Sequence, residues 1–137
     1  MPPASDPNSS AAVPADVRAF LAQHVDSVEQ LEILLLLHQH PDMDWTPEET
    51  AARLYGNPES AARRLARLRD TRLLSGTAHP AASYRYDPVS AELHHAVARL
   101  AETYRERRVA VITLIASRPM DNVRAFSEAF RIGRREQ

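Results

Sequence analysis

The chain of 137 residues contains no cysteine, no lysine and only three glycines. Without cysteine there can be no disulfide, no thiol nucleophile and no thiolate metal ligand. Three glycines leave little from which to build a phosphate-cradling loop. The serines Ser10, Ser60 and Ser75 stand in no nucleophile-elbow motif, so no enzyme is expected and no cofactor is read from the sequence. The longest unbroken apolar run, Ile33 to Leu37, is far too short to span a bilayer. No basic stretch followed by an apolar one opens the chain, so no signal peptide is read and a cytoplasmic location is the expectation.

Apolar residues make up 44%, enough to form a core in a single domain with extensions. The net charge of −1 hides a strong asymmetry along the chain. Residues 26–56 hold seven acids against Arg53 alone, whereas residues 57–86 hold six arginines against Glu59 and Asp70. All 17 basic residues are arginine.

Residues 1–13 are rich in Pro, Ala, Ser and Asn without periodicity, and read as a disordered tail. Over 14–26, Pro14-Ala15-Asp16 opens an amphipathic helix with Val17, Phe20, Leu21 and Val25 on one side. Ser27-Val28-Glu29-Gln30 reads as a capping box, starting a helix that Pro41 ends. Its middle is apolar on every face, which places it centrally, covered from more than one direction. Thr46-Pro47-Glu48-Glu49 is a second capping box with proline at the first helical position. That short helix ends near Tyr55, where Gly56 is expected to supply a turn. Asn57-Pro58 opens a third helix to about Thr71, its inner side formed by Ala61, Ala62, Leu65 and Leu68. Leu73–Thr77 and Ser83–Tyr86 read as two short strands, with Trp45 starting a further small strand against them.

Residues 88–118 carry one long periodic stretch. Leu93, Val97, Leu100, Tyr104, Val111 and Leu114 recur at spacings of four and three, with Arg107 interrupting the seam. Such a stripe resembles a coiled-coil seam. As one helix it would be roughly 45 Å long, more than a small domain can cover. A homodimer through these six residues is therefore expected. Val109 to Ile115 is β-branched enough to read as either helix or strand. Over 119–137, Pro119 stops the helix and Asp121 caps a short amphipathic segment with Val123, Phe126 and Phe130 together. A basic end follows, and Phe126 and Phe130 could dock on a protein partner.

Helix, short helix, tight turn, helix and hairpin over residues 27–87 is the order of a winged helix-turn-helix. The fold class expected is mainly α, with a small β-hairpin wing, an N-terminal helix and a long C-terminal dimerisation helix. On the third helix Ser60, Arg63, Arg64 and Arg67 lie within about 100° of arc, away from the inner side. A helix-turn-helix presents that side to the major groove of double-stranded DNA, with Arg85 and His79 on the wing against the backbone. The acids Glu48, Glu49 and Glu59 stand where phosphates would approach, and the sequence pI of about 6.6 is low for a DNA binder.

His38-Gln39-His40-Pro41-Asp42-Met43-Asp44 has the look of a metal-binding run. Its two histidines end a helix, two positions apart, and so point in different directions. No metal is read there. His95, beside His94, flanks the long seam.

Thr46 to Tyr55, Asn57 to Leu74 and the hairpin Ser75 to Tyr86 together resemble the bacterial winged-helix transcriptional regulators. The long helix is similar to the MarR-like arrangement, in which helices from both ends bracket the domain. Residues 25–32 and 124–130 are similar to those of a small bacterial family, a likeness that implies a fold and no activity. The resemblance implies a dimeric DNA-binding regulator of transcription. The alternative is a winged-helix adaptor that binds protein and not DNA, since fold does not settle function.

Overall fold

Side-chain caps set the starts of four helices. The computed structural model describes residues 12–77 and 81–117. In chain order these form α1 (Ala15–His24), α2 (Val28–Gln39), α3 (Pro47–Leu54), α4 (Pro58–Asp70), β1 (Leu74–Thr77), β2 (Ser83–Tyr86), α5 (Ala91–Glu106) and α6 (Arg108–Ala116). Among the described residues the fold is mainly helical, with one two-stranded antiparallel sheet. No helix among them is long and apolar enough to cross a membrane.

At α3 both halves of the capping box are made. Thr46 Oγ1 accepts from the Glu49 amide at 3.1 Å, and the Glu49 carboxylate accepts from the Thr46 amide at 3.0 Å. Asn57 Oδ1 caps α4 by accepting from the Ser60 amide at 3.1 Å, with Pro58 at the first position. Ser90 caps α5 in the same way. Ser27 caps α2 through the Gln30 amide, but the reciprocal half expected there is absent. The Gln30 side chain instead donates to the His24 carbonyl at 2.8 Å, tying the end of α1 to the start of α2.

The turn between α3 and α4 differs from expectation. Tyr55, not Gly56, holds the left-handed conformation, with φ of 57°. Arg72 does the same just after α4, at φ of 71°. An L-residue there costs about 1–2 kcal/mol, and in both places the helix end and its following hydrogen bonds fix the geometry. Gly56 N–H donates to the Ala51 carbonyl at 2.8 Å, and Leu73 N–H to the Leu68 carbonyl at 3.1 Å.

α2 lies at the centre, packed on α3, α4, α5, α6 and β2. Leu31, Ile33, Leu34, Leu35, Leu36 and Leu37 are all buried, as a helix apolar on every face must be. Residues 74–77 pair with 83–86 in the register Leu74↔Tyr86 to Thr77↔Ser83. Trp45 joins this sheet by a bridge to Tyr84, with paired hydrogen bonds of 2.7 and 2.8 Å. At the N-terminal side, Val13 falls within the expected tail yet is buried in the core.

The single long helix expected over 88–118 is corrected. It breaks at Arg107, where φ and ψ are −133° and 48°, into α5 and α6. A straight continuation would carry the apolar residues 109–115 past the domain into water. The break returns Ala110, Val111 and Ile115 to the core beside α2. It also resolves the ambiguity at Val109–Ile115, which is helical.

The same break places the six seam residues. Val97, Leu100 and Val111 are wholly buried within the chain, and Leu93, Tyr104 and Leu114 are half-buried against the same core. What covers the stripe is α1, α2 and the returning α6. Asp16 on α1 anchors the arrangement by accepting from Arg99 Nε and Nη2 of α5 at 2.6 and 3.0 Å.

Candidate functional site

α4 packs inward through Ala61, Leu65 and Leu68, which turns Ser60, Arg63, Arg64 and Arg67 away from the core. The fold brings these four residues together, but not onto an empty surface. The link from α1 to α2 places Asp26 beside them, and the first turn of α2 adds Glu29. Ser60 Oγ donates to Glu29 Oε1 at 2.6 Å, and Arg64 Nε donates to the same oxygen at 3.1 Å. Arg64 Nη1 reaches Asp26 Oδ1 at 3.4 Å, and Arg67 Nη2 lies 3.5 Å from Asp26 Oδ2. Arg63 is exposed and makes no hydrogen bond or ion pair among the described residues, although its charge acts on Glu29 through space.

Glu29 is half-buried. Burial pushes its carboxyl up, but hydrogen bonds from Ser60 and Arg64 outweigh this, and its pKa lies below the usual 4.5. The acid therefore stays ionised at neutral pH. On the hairpin, Arg85 Nε donates to Asp44 Oδ1 at 2.9 Å. His79, the other expected wing residue, lies outside the described residues, as do Phe126 and Phe130.

A pattern joins these pairs. Asp26, Glu29 and Asp44 come from the acidic segment 26–56, and Arg64, Arg67 and Arg85 from the basic segment 57–86. The asymmetry along the sequence is thus cancelled in space. Residues 26–86 carry seven arginines against nine acids, so this part of the chain is net negative. Each pair is about a third exposed or more, so each contributes only about 0–1 kcal/mol to stability. Their effect is on the field of the α4 face and not on the fold.

The neighbouring surface of α3 is different. Met43 is 47% exposed and Tyr55 is 97% exposed, both large for side chains left in water. A shallow open depression runs along α3, lined by Met43, Trp45, Glu49, Ala52 and Arg53. The Arg53 guanidinium stands 5.8 Å from the centroid of the Trp45 ring.

Among the described residues no group of three His, Asp or Glu side chains is placed to hold an ion. His38 and His94 instead meet around Tyr86, where α2, β2 and α5 converge. The His38 ring lies edge-on to Tyr86 at 5.1 Å, and Tyr86 Oη and His94 Nδ1 share a hydrogen bond of 2.9 Å. Burial pushes the Tyr86 phenol up to about 12, so it stays protonated. Burial, and then the nearby His94, hold His38 below its ordinary value. Burial alone does the same to His24, whose Nδ1 has no hydrogen-bond partner among the described residues.

This gives a pH dependence with a definite sign. The unfolded chain protonates both imidazoles near pH 6.5, whereas the folded chain keeps them neutral to lower pH. Their contribution is therefore full above that pH and is lost as pH falls through 6.5 toward the depressed folded values. Thermal melting followed against pH is expected to show a decline below about pH 6.5. The decline should be smaller in His38→Gln; an unchanged profile in that variant would contradict the assignment.

Asp26, Glu29 and Asp44 are the site residues that a reading of the arginines alone overlooks. The signal for them was present as the acidic run, but not which arginines it would meet. No protein-family model matches this chain, and no curated protein or solved structure matches it either.

Proposed function

We propose that the chain is a winged-helix module that binds a protein partner and has no groove-reading role on DNA. The order α2, Trp45 bridge, α3, α4 and hairpin supports the winged-helix reading. The pairing of α1 with α5 supports a MarR-like bracketing of the domain by helices from either side. In that fold α4 is the helix that would enter the major groove.

One observation carries the functional part: Asp26 and Glu29 bind Ser60, Arg64 and Arg67 on the face that would meet DNA. DNA affinity rests mainly on cations that replace counterions along the phosphates. A face whose arginines already hold carboxylates offers little such exchange, and the two acids would repel the backbone. Glu48, Glu49 and Glu59 add negative charge at the starts of α3 and α4. Protein interfaces, by contrast, favour aromatic residues, methionine and arginine. Met43, Arg53 and Tyr55 along α3 are such residues.

Affinity capture from cells, with the double variant Met43→Ser, Tyr55→Ser as the control, tests this reading. A specific partner held by the parent chain and lost in the variant is expected. Capture unchanged in the variant would remove α3 as the docking surface.

A second reading is a DNA-binding regulator, and exposed Arg63 favours it. Arg63 is exposed on the outer α4 face, holds no carboxylate among the described residues, and could reach a phosphate or a guanine edge.

A further inference from the structure

The depression along α3 is bordered by an excess of negative charge. Pro41 to Tyr55 carries Asp42, Asp44, Glu48 and Glu49 against Arg53 alone, and all five charged residues are exposed. Asp44 is taken by Arg85 of the hairpin, and Glu49 accepts from the Thr46 amide in the capping box. Asp42 and Glu48 hold no cation among the described residues. Even with Arg85 counted, four carboxylates stand against two guanidinium groups, so the surroundings of the depression are net negative.

A second observation lies in its wall. Trp45 lines the depression and is only 3% exposed, and its indole N–H has no acceptor among the described residues. A buried donor without an acceptor is unfavourable, so a ligand that supplies one is favoured.

We propose that this depression seats a basic segment of a protein partner, an arginine- or lysine-bearing peptide with apolar neighbours. The proposal rests on the reading of α3 as the docking surface and adds the chemistry of what docks there.

Three features select this occupant. The first is charge: a cationic segment complements the net negative border, which steers its approach and turns acidic segments away. The second is the unpaired indole, because a peptide carries at every residue the backbone carbonyl that the Trp45 N–H lacks. The third is shape. The depression is shallow and open, which suits a chain laid across Met43 and Ala52, whereas small-molecule sites enclose most of the ligand. The aliphatic stems of arginine and lysine add contact with Met43 while their charged heads stay in water near Glu48. Arg53 already stands against the Trp45 ring, which leaves the unpaired carboxylates to the incoming cations.

Trp45 is the only tryptophan, so a single indole N–H resonance reports on this wall. The nitrogen-15-labelled full chain is titrated with a blocked peptide of leucine, alanine and arginine. The same peptide with glutamate for every arginine is the comparison. The basic peptide is expected to shift the Trp45 indole resonance saturably, and the glutamate peptide to leave it in place. Asp42→Asn with Glu48→Gln should weaken binding about three- to tenfold, as the loss of two exposed ion pairs implies. Glu92→Gln with Glu106→Gln, at exposed positions of α5, should not weaken it. A preference for the glutamate peptide that Met43→Ser abolishes would overturn the proposal and leave α3 as a docking surface. Binding of the basic peptide that Met43→Ser leaves unchanged would overturn both. No shift at millimolar peptide, or equal weakening by the α5 pair, would also overturn the proposal.

Discussion

Leu34→Ala is expected to destabilise the fold by about 2–5 kcal/mol, the range for truncating a fully buried leucine in a core that cannot collapse onto the gap. Leu34 has no exposed surface and sits mid-way along α2, the helix that touches α3, α4, α5, α6 and β2. Each of those elements rests on it, so relaxation from one side opens space on another. Whole-domain stabilities are about 5–15 kcal/mol, so a loss of this size is a large share. Chemical denaturation monitored by circular dichroism would give the value. Met43→Ala, at an exposed position, should change stability by no more than about 0.5 kcal/mol. Equal effects from the two variants would mean that α2 is not the hub of the core.

The second large effect concerns charge. Asp26→Asn with Glu29→Gln keeps a hydrogen-bond acceptor beside Ser60 and Arg64 but removes both negative charges. Arg63, Arg64 and Arg67 would then face water as three unbalanced cations on one side of α4. Binding to an arbitrary DNA duplex is expected to strengthen by about tenfold or more at low salt. It should acquire a logarithmic salt slope of about −2 to −3, near 0.9 per phosphate engaged. Because the ion pairs are partly exposed, the melting temperature should change little. A variant that binds DNA no better than the parent would show that the two acids are not what shields the face.

The local signals in the sequence translated directly into structure. Thr46, Asn57 and Ser27 cap helices where expected, because a cap depends only on residues within a turn of it. The all-round apolar run Ile33–Leu37 identified the central helix, since no other position could bury every face. Trp45 was legible as a strand partner of the hairpin.

What was not legible depends on distance in the chain. The pairs from Arg64 to Glu29 and Arg85 to Asp44 join residues 35 and 41 positions apart, and no local window contains both partners. The arginines therefore read as a free basic face until the acids were placed against them. The break at Arg107 has the same origin. Periodicity recorded the stripe from Leu93 to Leu114 faithfully, but could not tell a partner helix from the chain's own α1 and α2 as its cover. Tyr55 took the left-handed turn beside a glycine because the hydrogen bonds ending α3 fix that position, not the cheaper residue next to it.

The central claim is that the face of α4 is neutralised by the chain's own carboxylates and does not read DNA. Fluorescence anisotropy of a labelled duplex, titrated with the unaltered protein across a salt series starting at low ionic strength, tests it most directly. The expected result is weak binding or none, with little dependence on salt. Tight binding that falls steeply as salt rises, and that Arg63→Ala weakens, would contradict it.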